Sequence, residues 1–517
     1  MTLSLSTDNV KLTPGQTLDV MVTLSTSVAL EQPVVLSLRS PGDEALPSGL
    51  NAAFDPPLLS PAPGQDATAK LHLLAQTALS EDSYPLVAYA RNKSEEASSA
   101  LSLTLLGGES NWRRPISTSG TDQVVLMSGD HSDGVYVVVN TTGGLAGYVN
   151  QSIDFDTYLI HYRGNGALSF VTPLSTARTD IISSIAVDAD DSVYLAGYTY
   201  GTLPGQTSQG GADGFIAKVN SSGGLVWLKQ IGTTEFDQAT GIALAPDGSL
   251  FVAGLTEGVF PGYANAGASD VFVGHYKANG EKDWVVQFGS DADERAYNVL
   301  NQIGVAITVD GAGNPYVAGS TLGAFAGSTS QGNADAFVAR LSPTNGDRVW
   351  LKQVGSYAED ALYTIVAHPN GNIYAAGYAK GPFPGQIQMG GQDALLLAYK
   401  SDGTQAVARQ IGTSYADQIN GLTVTGDRIY IAGTTRGGFP GQTQYGLQDA
   451  FYMRLTPEGS TLWLRQLGTT QADEGRAIAA SLGSGKFIYY GGLTWGDWTR
   501  DFYIGESDGF VNQYPLD

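Results

Sequence analysis

Two series of carboxylates recur through this chain at a spacing that invites cation binding or acid–base work. Asp122, Asp180, Asp237, Glu294, Asp360, Asp417 and Asp473 each stand five residues after a glycine or serine, and Asp293 sits beside Glu294. Seven like charges brought to one narrow opening repel one another, which raises some pKa values or recruits a counter-cation such as Ca²⁺. The competing expectation is that each accepts hydrogen bonds from backbone N–H groups of its own loop. A second series, Asp156, Asp213, Asp270, Asp335, Asp393, Asp449 and Asp508, heads seven similar apolar segments. Its regularity points to a shared structural task, because a catalytic centre breaks symmetry.

Histidine offers less. His72, His131 and His368 are scattered, while His161 and His275 occupy equivalent places in two of the Asp-led segments. Those two are the imidazole candidates for a metal, with Cu²⁺ the less favoured ion, since a copper or zinc centre wants several imidazoles on rigid neighbours. Departures from the repeat are the better guide to a binding site. One is the insertion 297–304; the other is the aromatic cluster Trp495, Trp498, Phe502 and Tyr503, a group suited to carbohydrate or protein surfaces. Nucleophile-elbow, Walker and dinucleotide motifs in their required strand–helix setting are absent.

The elements that would position these residues form an internal repeat. DTYLIHY, DGFIAKV, DVFVGHY, DAFVARL, DALLLAY, DAFYMRL and DGFVNQY begin 57, 57, 65, 58, 56 and 59 residues apart, the long interval coinciding with the insertion. Each unit also holds a hairpin of the type GIALAPDGSLFVAG, a glycine-rich loop such as GPFPGQ at 381–386, and a strand resembling WLKQIGT. Four strands per unit in radial repetition predict a β-propeller blade. The last Asp-led strand, 508–514, lacks a following W-type strand, whereas an orphan one, NWRRPIST at 111–118, precedes the first hairpin. Pairing the two closes a seven-bladed ring and leaves no free edge.

Residues 1–106 read differently, as short period-two strands such as TLDVMVTLS and PVVLSLRS separated by TPG, SPGD and LPSG turns. That pattern predicts an antiparallel sandwich, similar to the immunoglobulin-like modules appended to secreted bacterial proteins, joined through a linker at 107–110. The fold class is therefore all-β, with an immunoglobulin-like sandwich followed by a seven-bladed propeller over 111–517.

Composition narrows the partners. A net charge of −23 repels nucleic acid and anionic lipid, and no apolar run is long enough to cross a bilayer. The absence of cysteine removes disulfides, thiolate metal sites and cysteine nucleophiles. The polar start TLSLSTDNVKLTPG lacks the features of an export signal.

The pattern GT-x-x-x-D-x-A-x-GIA, VYVAG-x-T, FPGQ and DAFVAKL resembles the bacterial SBBP-type β-propeller repeat over 111–517. That resemblance implies the fold, an extracellular or cell-envelope location and no assigned catalytic residues. It makes a binding scaffold for envelope proteins, S-layer proteins or surface carbohydrate the leading expectation. The first and last units depart from it, with TTGGLAGYVNQS and WGDWTRDFYIGES in place of the FPGQ loop. A looser likeness to Deinococcus-type surface proteins implies an alternative, a copper-dependent superoxide dismutase-like oxidoreductase, although the usual copper-ligand pattern is missing. A hydrolase or lyase using paired carboxylates is the other enzymatic expectation.

Overall fold

A computed structural model of the chain describes residues 1–7, 9–12, 17–28, 30, 32–40, 45–46, 50–75, 83–92, 95–105, 112–148, 155–294, 304–496 and 506–516. Every regular element among them is a β-strand. The expected linker at 107–110 lies outside the described residues, as does nearly all of the insertion. The chain divides into two compact units, Met1–Asn111 with Tyr514–Asp517, and Trp112–Gln513.

The first unit has a four-stranded sheet and a five-stranded sheet that share one apolar core. Alternation explains the core: in Thr17–Ser25 and Asp66–Ala75 every second residue (Val20, Val22, Leu24; Ala69, Leu71, Leu73) is buried, and the intervening ones face outward. One pairing departs from the antiparallel expectation. Asn9–Leu12 runs parallel to Glu96–Leu105, whereas the preceding strand Thr2–Leu5 pairs antiparallel with Thr17–Ser25 in the other sheet. The opening segment thus serves an edge of each sheet in turn, a crossing that local alternation cannot reveal.

The second unit contains seven four-stranded antiparallel sheets among the described residues. Six follow chain order; sheet six, for example, comprises Asp417–Thr425, Arg428–Thr435, Asp449–Leu455 and Thr461–Leu467. The seventh takes Asp473–Ala480, Phe487–Thr494 and Asp508–Pro515 from the end of the chain and Trp112–Ile116 from the start of this unit. Trp112 pairs with Gln513 and Ile116 with Gly509. The first strand of each sheet packs on that of the next, and that of the seventh on that of the first. The arrangement is propeller-like.

Packing between sheets explains why the middle strands are apolar without alternation. Val193–Thr199 and Asp213–Val219 are buried on both faces because each sheet lies between two others. Large and small side chains interleave across the joint of sheets five and six: Tyr374, Leu396, Ile419, Ile431 and Phe451 surround Ala376 and Ala398. Where the interleaving is tightest only glycine fits. A Cβ on Gly254 would overlap the Gln238 carbonyl oxygen and the Phe272 ring.

Candidate functional site

The carboxylates lie at the joints between consecutive sheets. Five of the first-series aspartates open a strand that pairs with a threonine: Asp122 with Thr141, Asp180 with Thr199, Asp237 with Thr256, Asp417 with Thr435 and Asp473 with Thr494. Asp360 opens its strand opposite Ala379 instead. All seven first-series groups are buried, so none is displayed at an open mouth. Each turns back into the tight turn before its strand. Asp417 Oδ2 accepts from Thr413 N at 2.6 Å and Thr413 Oγ1 at 3.0 Å, and Asp473 Oδ2 from the same atoms of Thr469 at 2.6 and 3.0 Å. Asp122 takes the Thr118 N–H and hydroxyl, Asp237 those of Thr233, and Asp360 those of Ser356. Asp180 takes the Thr176 N–H.

The second series faces the first across one glycine. Asp393 accepts from Met389 N at 2.7 Å, Gly390 N at 2.8 Å and Gln410 Nε2 at 2.9 Å. A Cβ on Gly412 would lie 2.7 Å from Asp393 Oδ1 and 2.8 Å from Asp417 Oδ2. Gly232, Gly289, Gly355 and Gly468 stand in the same way between Asp213 and Asp237, Asp270 and Glu294, Asp335 and Asp360, and Asp449 and Asp473. Burial drives the first-series acids upward against the hydrogen bonds that favour their ionised forms. It raises Asp122, Asp180 and Asp237, takes Asp360, Asp417 and Asp473 to about 6, and takes Glu294 to about 7.

A residue missed in the sequence completes five of the joints, those that follow sheets two to six. The glutamine of the W-type strand, Gln230, Gln287, Gln353, Gln410 or Gln466, reaches over to the second-series aspartate. Its amide also donates to a glycine carbonyl at the start of the glycine-rich loop, and its oxygen accepts from the apolar residue inside that loop. The invariant Q of WLKQIGT, WVVQFGS and VARQIGT was the available signal. In the FPGQ loops Phe383 and Phe439 are buried anchors, and the Gln386 and Gln442 N–H groups donate back to their carbonyls over a Pro-Gly turn with Gly385 at φ 75°. Sheet one keeps this turn without the motif, since Tyr148 N donates to Leu145 O.

The histidines do not converge. His161 Nε2 is 2.7 Å from Asp130 Oδ2, and the ring stacks on Tyr136 at 4.4 Å. Burial pushes Asp130 up, but hydrogen bonds from His161, Gly134 and Ser132 outweigh it and hold that carboxyl below its ordinary value. His275 Nδ1 lies 3.1 Å from Asp283 Oδ2, between Phe251 and Trp284. Each imidazole is thus occupied inside its own sheet. Among the described residues no three His, Cys, Asp or Glu side chains are grouped to hold a metal ion. Trp495 is partly exposed at the start of its loop, while Trp498, Phe502 and Tyr503 lie outside the described residues.

The two ends of the sheets differ in exposed apolar surface. Antiparallel order puts the second-to-third loops and the turns between sheets at one end, and the hairpin turns at the other. The loop end exposes Tyr357, Ile387, Met389, Tyr415, Tyr445 and Leu447, with Ile387 at 83% and Leu447 at 79%. Tyr415 links neighbouring loops, for its ring lies against Gly437 and its carbonyl against Gly390. Within the described hairpin turns of this unit, Leu482 is the one exposed large apolar side chain.

No family model matches the sequence. The chain is 24% identical over 385 residues to the regulatory protein FlaEY of Caulobacter vibrioides, covering 66% of this chain and 39% of that protein. It is 25% identical over 158 residues to an uncharacterized WD repeat-containing protein, L264, of Acanthamoeba polyphaga mimivirus, covering 26% of this chain and 11% of the relative. The chain therefore spans well under half the length of either. Among solved structures, a quinonprotein alcohol dehydrogenase-like protein from Bacteroides thetaiotaomicron matches with TM-score 0.35 and 11% identity, over 89% of this chain and 94% of that one.

Proposed function

We propose that residues 111–517 form a seven-bladed β-propeller of the SBBP-repeat type behind an immunoglobulin-like module. In this reading the protein is a non-catalytic binding scaffold of the cell envelope or its surroundings. The loop end of the propeller is the binding face, and its partner is a protein. The observation that carries this reading is that Tyr357, Ile387, Met389, Tyr415, Tyr445 and Leu447 are exposed in the loops at one end of the sheets. Exposed aromatic, Met and aliphatic side chains at this density favour a protein surface, because large exposed apolar patches mark interaction sites. On this face the loops 380–392 and 436–448 carry Lys380 and Arg436 and no carboxylate of their own, with Lys380 paired to Glu359 of the neighbouring turn at 2.9 Å.

The buried, hydrogen-bonded state of the candidate acids supports a scaffold over carboxylate catalysis, since a general acid must reach a substrate proton. Site-specific photocrosslinking in the producing cells tests the reading. A crosslinker at position 387 or 447 is expected to trap one discrete protein adduct that a crosslinker at Gly248, on a hairpin turn, does not. Equal adducts from both positions, or stoichiometric copper in the purified protein with activity lost on His161→Ala, would replace the scaffold reading.

A further inference from the structure

The joint between sheets three and four departs from the others in one atom group: it carries Glu294 where the other six carry aspartate. Glu294 Oε1 accepts from Ser290 N at 3.0 Å, Ser290 Oγ at 2.5 Å and Thr321 Oγ1 at 3.0 Å. Glu294 Oε2 is buried and has no hydrogen-bond partner among the described residues. It points to the space above Gly289, where a Cβ would overlap both Glu294 Oε2 and Asp270 Oδ1. Asp270 is fully buried as well; it accepts from Ala266 N and, at 2.9 Å, from Gln287 Nε2.

Among the described residues no cation balances this pair: neither acid has a Lys, Arg or His partner. The other charged groups nearby are acidic, Asp291 and Asp293 in the same turn and Glu257 in the loop leading to Asp270; the 322–334 loop packed beside them has none, and Arg295 lies outside the described residues. Two ionised carboxylates buried side by side are strongly disfavoured, whereas one proton turns the repulsion into a charge-assisted hydrogen bond.

We propose that Glu294 and Asp270 are a proton-binding site: one proton resides on Glu294 Oε2 and is donated to Asp270 Oδ1 while the chain is folded. The extra methylene of glutamate carries the carboxyl toward Asp270, and this sets the joint apart from its six aspartate counterparts. At the Asp417 and Asp473 joints the oxygen beside the glycine is Oδ2, already bonded to Thr413 or Thr469, and the orphan is Oδ1; at Glu294 the orphan oxygen is itself the one beside Gly289.

Burial and the neighbouring Asp270 charge, partly offset by the serine and threonine bonds, place Glu294 at about 7. A folded-state pKa above the unfolded one means that folding takes up a proton. The associated stability is complete below the unfolded glutamate pKa, about 4.3, and is lost as pH rises through about 7.

The test is thermal unfolding between about pH 5 and pH 8, together with infrared difference spectra of wild type minus Glu294→Gln near pH 6. The expected results are a neutral-carboxyl C=O band that the variant lacks, and a fall in wild-type midpoint with rising pH that the variant flattens. Glu294→Asp, which restores the residue found at the other six joints, guards against misfolding and is expected to move the fall to lower pH. A wild type without the neutral-carboxyl band, or a Gln variant with the full pH dependence, overturns the proposal. So does a rise in midpoint on adding calcium that Glu294→Gln abolishes, which would make the pair a cation site.

Discussion

Gln466 Nε2 donates to Asp449 Oδ2 at 2.7 Å, and its side-chain oxygen accepts from Phe439 N at 3.0 Å, so one amide fastens the outermost strand of sheet six to the third strand and to the glycine-rich loop. A third bond runs to the Gly437 carbonyl at 2.9 Å. All the partners are buried. Removing the amide leaves the Phe439 N–H unsatisfied, at about 1–3 kcal/mol, and takes from Asp449 Oδ2 one of its two bonds, the other coming from Tyr445 N at 2.8 Å. Gln466→Ala is therefore expected to lower unfolding free energy by roughly 3 kcal/mol, read from urea denaturation. Gln466→Glu is expected to be worse at neutral pH and to recover on acidification, because it sets a second carboxylate against Asp449.

Asp360 stands opposite Ala379, whereas its counterparts in sheets one, two, three, six and seven stand opposite threonine. Those hydroxyls hold down the pKa of their aspartates, a contribution Asp360 lacks. Ala379→Thr supplies the missing donor at a position where the other six sheets all carry threonine. The expected gain is about 1 kcal/mol near neutral pH, with the Asp360 titration, followed by carbon-13 carboxyl shifts, moved below about 6. An unchanged titration would show that the hydroxyl does not reach the carboxylate.

What could be read from the chain alone divides along a physical line. The strand count of each unit, the pairing of 111–118 with 508–514 and the sevenfold acids follow from periodicity, since a repeat that buries both faces must spell the same apolar runs each time. The closing pair appears as Trp112 to Gln513 through Ile116 to Gly509. The destination of the acids was not legible. Whether Asp417 faces a channel or its own turn depends on a side-chain rotation that the turn Gly412–Ala416 fixes through Thr413, and no spacing rule encodes that. The partner glutamine was written in the outermost strands of sheets two to six, yet its reach to Asp393 from Gln410 joins residues on adjacent strands and needs the register to be known.

Arg476 and Glu474 form a buried ion pair at 2.8 Å on the first strand of sheet seven, and Arg476 Nη1 donates to Gln123 of sheet one at 2.8 Å. The pair lies on one strand, at the joint between sheets seven and one. Breaking a buried pair strands the surviving charge, at a cost of about 3–5 kcal/mol, while replacing both partners with apolar groups is close to neutral. Arg476→Ala is expected to destabilise by that amount, and Arg476→Met combined with Glu474→Leu to recover most of it. If the double variant is as unstable as the single, the bond to Gln123 is the important one.

Asp508–Pro515 is the third strand of its sheet and lies between Phe487–Thr494 and Trp112–Ile116. Val511 is completely buried in a cluster with Trp112, Val124, Val137 and Tyr489, so this strand supplies core as well as hydrogen bonds. Deleting 508–517 removes that core and opens two strand edges, each a template for pairing with another chain. The expected outcome is soluble aggregate or a large fall in unfolding midpoint, measured by light scattering and calorimetry. Adding the segment back as a synthetic peptide is expected to restore a monomer, since the gap is bounded by preformed edges on both sides. Val511→Asp in the full chain is a milder form of the same loss, with a buried unpaired charge in place of a missing strand. A truncated chain that does not aggregate and has an unchanged midpoint would mean that the seven sheets are held by the packing of their first strands alone, and that the pairing of Trp112–Ile116 with Asp508–Pro515 is dispensable.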